Sequence, residues 1–570
     1  MAEDPQFPIA STASKPSQDT RPGADNYLVA IDSSPPTHNR STKRTTANGP
    51  RTSRRRRLAQ GVMAILACSM FSAGPVLAAP RDPAPSQSPP SSPQGAQTDA
   101  PFLATATLAP SLPGAVVPPN FNGLSIETYD LPKYASSSTI GAFSALLSQL
   151  GTGSDGAVLR LGGDSTDYTY WAGRSSLTQP GPFAAYPIYG SWLHTLNSLL
   201  TQSDAKAIIG VNLANDDTSA AITWVEAANN ILGSSVLAYE IGNEPDQYTT
   251  HAISVSATGV PTYARSTSYG PTTYDNDIAR YLSALMPLLT GGSALAWPAS
   301  SSTTYLTSAV AVAKSNPQSL SLITAHLYPG FNACTSNQPA PPIASLLSDT
   351  NSAGLAASLV ASIASATAAG YSLRVDELNS AGCGGIPGFS DTMAAAAWGL
   401  DTMFELLADG ASGVNFQGTA SPSAYSPIDV GPNGLSVAPL YYGQLAFAQS
   451  APPGSRLIHV TLSTADNIKV WATLDSRRVI RVAIINKDLL ATGGVRINAP
   501  TGYGTARLIY VQGPSLTSTS GITIGGQSFT VPTDGELRGP ATTSTLQVVG
   551  SVVDVPIRPG QIALVTLSQP

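Results

Sequence analysis

Two short runs of this chain bring carboxylates to places where an enzyme can use them. The stretch Val236-Leu237-Ala238-Tyr239 leads into Glu240-Ile241-Gly242-Asn243-Glu244-Pro245. An apolar run that stops at a Gly/Pro break predicts a buried strand with Asn243 and Glu244 at its carboxyl end. A second run, Leu373-Arg374-Val375-Asp376-Glu377-Leu378-Asn379, lies 133 residues downstream and again delivers a glutamate at the end of a short strand. Two carboxyls so placed can cleave a glycosidic bond with retention when they stand about 5–5.5 Å apart. Glu244 is read as the acid and base, protonated when substrate arrives, and Glu377 as the ionised nucleophile.

Something must hold these glutamates across one sugar ring. Eight strand candidates follow one another: Phe121–Glu127, Ala157–Asp164, Lys206–Leu213, Val236–Glu244, Ala294–Ala299, Ser321–Tyr328, Ser372–Asn379 and Gly413–Gln417. Segments of helical period separate most of them: Ile140–Leu150, Ala220–Leu232, Asp277–Leu289, Ala356–Ala368 and Asp391–Ala408, with a last one near Leu440–Ala448. Such an alternation predicts a (β/α)8 TIM barrel over 101–449, whose chemistry sits at the carboxyl ends of the strands. Glu244 then ends strand four and Glu377 ends strand seven, facing each other over the mouth. A doubly wound sheet is the alternative, but no Gly-rich phosphate loop supports it. From 450 to 570 the pattern turns to strands without helices and predicts a C-terminal β-sandwich domain. The alternating segment Phe102–Leu108, within 101–110, is a candidate strand of the same sandwich.

Several motifs, taken in strand order, resemble glycoside hydrolase family 79, the β-glucuronidase and heparanase family of clan A. They are Leu124-Ser125-Ile126-Glu127 on strand one, Arg160-Leu161-Gly162-Gly163-Asp164 on strand two and Asn243-Glu244 on strand four. Ala325-His326-Leu327-Tyr328 on strand six and the run from Asp376 to Gly385 on strand seven complete the set. The resemblance spans about 101–570. It implies that Glu127, Asp164 and Asn243 contact sugar hydroxyls and that Tyr328 lies beside the nucleophile. It further implies that backbone N–H groups of the loop at Gly384 and Gly385 bind the substrate's carboxylate, with Tyr425 touching the uronate and Tyr441 as second choice; backbone amides can hold an anion without a basic side chain. Plainer roles stand beside these. Arg160 is read as a structural ion pair inside the barrel and His326 as a hydrogen-bonded residue of the mouth. Asp376 should point away from the nucleophile by strand alternation, and both tyrosines could equally serve packing. Cys334 and Cys383 fall in neighbouring loops after strands six and seven, where they can form a disulfide that pins the glycine-bearing loop; two free buried thiols are the alternative.

Composition narrows the rest. Charged residues are 11% of the 570, with 50 Gly and 47 Pro, as in many secreted enzymes. Residues 1–79 read as a leader and export signal: Arg54–Arg57, an apolar stretch from Leu58 to Leu77, and small residues near Ala78. Ser53-Arg54-Arg55 allows twin-arginine export and Cys68 a lipoprotein; retained, the segment to Ala79 would be a membrane anchor. Residues 80–100 form a Pro/Ser-rich linker. Ten of the 29 basic and five of the 35 acidic residues lie in 1–79, leaving 19 against 30 and a net charge near −11. That acidity excludes nucleic acid as a partner and disfavours long polyanions. Five histidines show no metal-ligand spacing, so neither metal nor other cofactor is expected. The predicted activity is the exo-acting, retaining release of β-linked terminal glucuronic acid from a glycan or glycoside by an exported protein. A heparanase-like endo-hydrolase and a non-catalytic glycan-binding protein are the alternatives.

Overall fold

The computed structural model describes residues 101–570 except 113, 152–155, 174–185, 257, 290–293, 298–302, 316–319, 335–338 and 422. The leader, export signal and linker read from the sequence lie outside these residues.

Eight parallel strands close into a barrel: Asn122–Glu127, Val158–Gly162, Lys206–Val211, Val236–Ile241, Ala294–Trp297, Leu320–Leu327, Ser372–Leu378 and Val414–Gly418, in that order around the ring. They are the TIM barrel expected from the sequence, with strand ends that differ from the expected ones by a few residues. Alternation fills the interior in layers. Val158, Ile208, Ala238 and Leu322 form a small apolar cluster. Two residues further along three of the same strands come Arg160, Glu240 and Thr324, all fully buried, which make a polar layer above it. His326 is one step higher on strand six. The barrel floor is therefore apolar and its upper half charged.

Helices cover the outside. Thr218–Leu232 shows how one is set: the Asp217 carboxylate accepts from the Ser219 and Ala220 N–H groups, and Ala221, Trp224, Val225, Ala228 and Leu232 bury one face. Two helices that the sequence does not predict are Gly190–Ser203, with Trp192, Leu193, Leu196, Leu199 and Leu200 inward, and Thr303–Ser315. The segment read as Ala356–Ala368 divides into Ala353–Ala357 and Val360–Ala368.

The β-sandwich packs two sheets around a core that includes Val482, Ile484, Val495, Val553 and Val565. Phe102–Ala109 lies in one of them, between His459–Thr464 and Gly493–Asn498, with Val552–Ile557 beyond. An ion cluster, buried at Lys487 and Asp401 and open to solvent at Asp349, joins this domain to the barrel. Lys487 Nζ reaches Asp401 at 2.7 Å and Asp349 at 2.9 Å, and the Trp471 indole donates to Asp401 at 2.9 Å.

One irregularity matters for the site. Strands six and seven pair Ala325 with Val375 but His326 with Glu377, and strand eight meets strand seven with the same offset between Val375 and Leu378. Strand seven therefore carries one extra residue, a β-bulge at Asp376, which resets the alternation and re-aims side chains. This corrects the expectation for Asp376: it does not turn out of the barrel but lies inside it, fully buried, with Oδ2 3.3 Å from Arg160 Nε.

Candidate active site

Strand four stops at Ile241, and the chain turns through Gly242 and Asn243 to Glu244. Glu244 has φ 44° and ψ 59°, left-handed and unusual for a residue with a side chain. Conformations of this kind cost about 1–3 kcal/mol and persist where the surroundings dictate them. The carboxyl of Glu244 is thereby lifted over the barrel mouth, a quarter exposed, while that of Glu377 rises from strand seven, about one-tenth exposed. Carboxylate oxygens of the two residues lie within 4.8 Å of each other, with His326 between them.

His326 bridges the pair: Nδ1 is 2.7 Å from Glu244 Oε1 and Nε2 is 3.5 Å from Glu377 Oε2. Burial would favour the neutral ring, but Glu377 and the bond to Glu244 outweigh it and raise its affinity for a proton. Glu377 is held on three sides. Arg160 Nη1 donates to Oε2 at 2.7 Å and the Tyr328 hydroxyl to Oε1 at 2.9 Å. Burial alone would favour the protonated acid, yet His326, Arg160 and Tyr328 together hold Glu377 below the usual carboxylate range, ionised and aimed. Arg160 also donates through Nη2 to Asn243 Oδ1 at 3.0 Å and through Nε to Glu240 at 2.6 Å. Asn243 in turn donates to Asp164 at 3.1 Å. The ion pair read for Arg160 is thus part of the machinery that places the nucleophile.

Glu127 ends strand one, and its Oε2 accepts the Ser165 N–H at 2.9 Å. Gly163, at φ 71°, lets the chain pass against that carboxyl; a Cβ there would collide with it. Burial, then the charge of Asp164, pushes Glu127 up to about 8, so it is a neutral donor at neutral pH. Asp164 itself is exposed at the mouth.

Tyr425 is buried in the same group, close enough to Glu377, Glu127 and Asp164 to feel their charges. Gly385, at φ 79°, packs against it, and a Cβ would come within 2.6 Å of the tyrosine Cβ. The Gly385 N–H is spent on the Gly382 carbonyl at 3.3 Å, and the Gly384 carbonyl accepts from Ala424 at 2.8 Å. Gly385 therefore shapes this loop rather than offering a free amide. Cys334 and Cys383 are joined as a disulfide, Cα atoms 5.3 Å apart, beside the bridge from Asn332 to Gly382. Tyr441 is a correction: it is fully buried in the helix Pro439–Ser450, donates to the Leu146 carbonyl at 2.7 Å and packs edge-on against Phe529. It touches no residue of the mouth among these contacts.

Sequence reasoning passes over Glu240 and gives His326 only a supporting part, since their convergence depends on three separate strands. Glu240, His326 and Asp376, and again Glu244, His326 and Glu377, bring donor atoms within metal-binding reach. The Arg160 guanidinium stands against Glu240, Asp376 and Glu377, so a cation would be repelled from both sets.

Residues 470–564 match the glycosyl hydrolase family 79 C-terminal beta domain. No curated protein is matched by the sequence. Among solved structures, a 4-O-α-L-rhamnosyl-β-D-glucuronidase from Fusarium oxysporum, in complex with Rha-GlcA, is similar over 82% of this chain and 99% of its own, with 19% identity and a TM-score of 0.65. A GH51 arabinofuranosidase from Xanthomonas axonopodis pv. citri covers 82% and 100% of the two chains at 13% identity and TM-score 0.59. CelM2, a bifunctional glucanase-xylanase from a metagenome library, does so over 82% and 100% at 12% identity and TM-score 0.56. At such identities the likeness speaks for the fold alone.

Proposed function

We propose that this chain, a glycoside hydrolase carrying the family 79 C-terminal domain, is a retaining, exo-acting β-glucuronidase. The observation that supports the mechanism is the approach of one carboxylate oxygen of Glu244 to one of Glu377 within 4.8 Å, nearer the roughly 5–5.5 Å spacing of retaining pairs than the roughly 6.5–9.5 Å of inverting ones. Glu377 attacks the anomeric carbon as Glu244 gives its proton to the leaving oxygen, forming a glycosyl ester and the free aglycone. Glu244, now a carboxylate, takes a proton from water, whose oxygen displaces Glu377 and yields the β-sugar. His326, in contact with both, can keep a proton within reach of Glu244 between turnovers.

The choice of a uronate is supported by three observations. The C-terminal domain is of family 79. The Fusarium oxysporum protein of like fold is a glucuronidase. Finally, Glu127 is held neutral and so does not repel an anionic sugar. Tyr425 and the Gly384 amide are the proposed uronate contacts, and Asn243 and Asp164 the proposed hydroxyl contacts. We infer export as well, from the leader and from a disulfide of the kind that persists in oxidising compartments. No helix among the described residues is long and apolar enough to cross a membrane.

A panel of nitrophenyl glycosides tests the reading. The glucuronide should exceed the glucoside, xyloside and galactoside in kcat/KM by at least about 10²-fold, as expected when polar groups of a site lose their partner. A preference for the glucoside would end the uronate assignment and leave the two-carboxylate mechanism standing.

A further inference from the structure

Below the catalytic pair the barrel holds more negative charge than its cations can meet. Arg160 is fully buried and faces Glu240, Asp376 and Glu377 at 2.6, 3.3 and 2.7 Å. Glu240 and Glu377 are satisfied as carboxylates: Glu240 accepts from Arg160 Nε and from the Thr324 hydroxyl at 2.8 Å, and Glu377 from Arg160 and Tyr328. Asp376 is different. Neither of its oxygens receives a hydrogen bond, and Arg160 Nε, 3.3 Å from Oδ2, is already given to Glu240. An ionised carboxylate buried without a donor costs several kcal/mol, and a group so placed is neutralised instead. A neutral carboxyl has a proton to give, and Glu240, which shares Arg160 Nε with it, is the acceptor at hand.

We propose that Asp376, turned into the barrel by the bulge of strand seven, stays protonated and donates a hydrogen bond to Glu240, making it a positioning residue that braces Arg160 against Glu377 and Asn243. The groups facing it agree. Glu240 and Glu377 disfavour a third negative charge, and Arg160 has only one positive charge to divide among them. His326 lies within reach, but its Nδ1 is bonded to Glu244 and its Nε2, 3.5 Å from Glu377, makes no hydrogen bond to Asp376; Arg374, on the same strand, gives its N–H groups to Asn415 and to the Asn120 and Phe121 carbonyls. Burial, followed by the charge of Glu240, pushes the Asp376 carboxyl well above the ordinary range. With the proton in place, Arg160 spends its charge on Glu240 and Glu377, and its Nε–H stays with Glu240 undivided.

The kinetic arm of this inference rests on Glu377 being the nucleophile; the structural arm does not. Asp376→Asn supplies the same donor without a titrating group, so it should fold, keep kcat/KM within about threefold of wild type and leave the acid limb of the pH profile unmoved. Asp376→Ala should lose more than about tenfold, because Glu240 loses a charge-assisted partner. In the infrared difference spectrum of wild type and Asp376→Asn at neutral pH, the carbonyl stretch of one protonated carboxyl should disappear. An Asn variant that fails to fold, falls as far as the Ala variant, shifts the acid limb, or loses no protonated-carboxyl band would overturn the proposal. Folding and infrared use no substrate, so their failure is separable from failure of the glucuronidase reading.

Discussion

Replacing His326 by glutamine should expose how the nucleophile Glu377 is kept ionised. The imidazole Nε2 stands 3.5 Å from Glu377 Oε2. At an effective dielectric of about 20, a unit charge at that distance is worth about 5 kcal/mol, a ceiling that Arg160 and solvent reduce. A quarter of that energy already moves the titration midpoint of Glu377 by about one on the pH scale. Glutamine keeps the hydrogen-bonding reach but carries no charge. The nucleophile then holds its proton to higher pH, so the acid limb of kcat/KM should rise by at least that amount. Because the protonated form cannot attack, the loss is greatest at low pH and shrinks as pH rises through the new limb. The assay is hydrolysis of an aryl glucuronide across pH, with thermal unfolding as the control for folding. A variant that folds and keeps both the limb and the rate of wild type would refute the assignment of His326 as the charge between the carboxyls.

Other outcomes follow from the same geometry. Glu127 is neutral below about pH 8 and charged above it, so KM for a glucuronide should climb through that pH while KM for a glucoside changes less, and Glu127→Gln should flatten the difference. Steady-state kinetics on both substrates checks this. Cutting the Cys334–Cys383 link with serine at both positions should raise KM for the glucuronide by about 10- to 100-fold with kcat nearly kept, since a loop displaced by an ångström costs that much. Equal loss on glucoside and glucuronide would separate the disulfide from uronate binding. Tyr441→Phe should lower unfolding free energy by about 0.5–1.5 kcal/mol by removing the hydroxyl's bond to the Leu146 carbonyl, which keeps its helical partner, and leave kcat and KM unchanged; chemical denaturation and steady-state kinetics read the two effects.

The carboxyl ends of strands four and seven are legible in the sequence because Gly242 and Pro245, and the glycines after Ala381, break apolar runs that cannot otherwise stop. Glu244 and Glu377 can be named on that basis alone. What stays hidden depends on register between distant strands. Arg160, Glu240 and His326 come from strands two, four and six, and only barrel closure puts them in one group. Asp376 defeats the alternation rule because a bulge adds a single residue to one strand, which leaves no mark on composition or period. Gly190–Ser203 carries a regular apolar stripe at Trp192, Leu193, Leu196, Leu199 and Leu200, a helical period legible in the sequence, although Ser, Thr and Asn, which favour turns as readily, fill much of the rest. Gly493–Asn498 is hidden by the two glycines on which it opens. Tyr441 has the composition of a sugar-binding residue, yet its hydroxyl is taken by a backbone carbonyl inside the fold, which no local pattern announces.

The central claim is that Glu377 forms a covalent bond to the sugar. A 2-deoxy-2-fluoro-β-glucuronyl fluoride slows the second step, and peptide mass spectrometry of the trapped protein locates the adduct. The account predicts one sugar per chain, on the peptide bearing Glu377, with none in Glu377→Gln. A label on another residue, or none while the wild-type enzyme still turns over an aryl glucuronide, would contradict it.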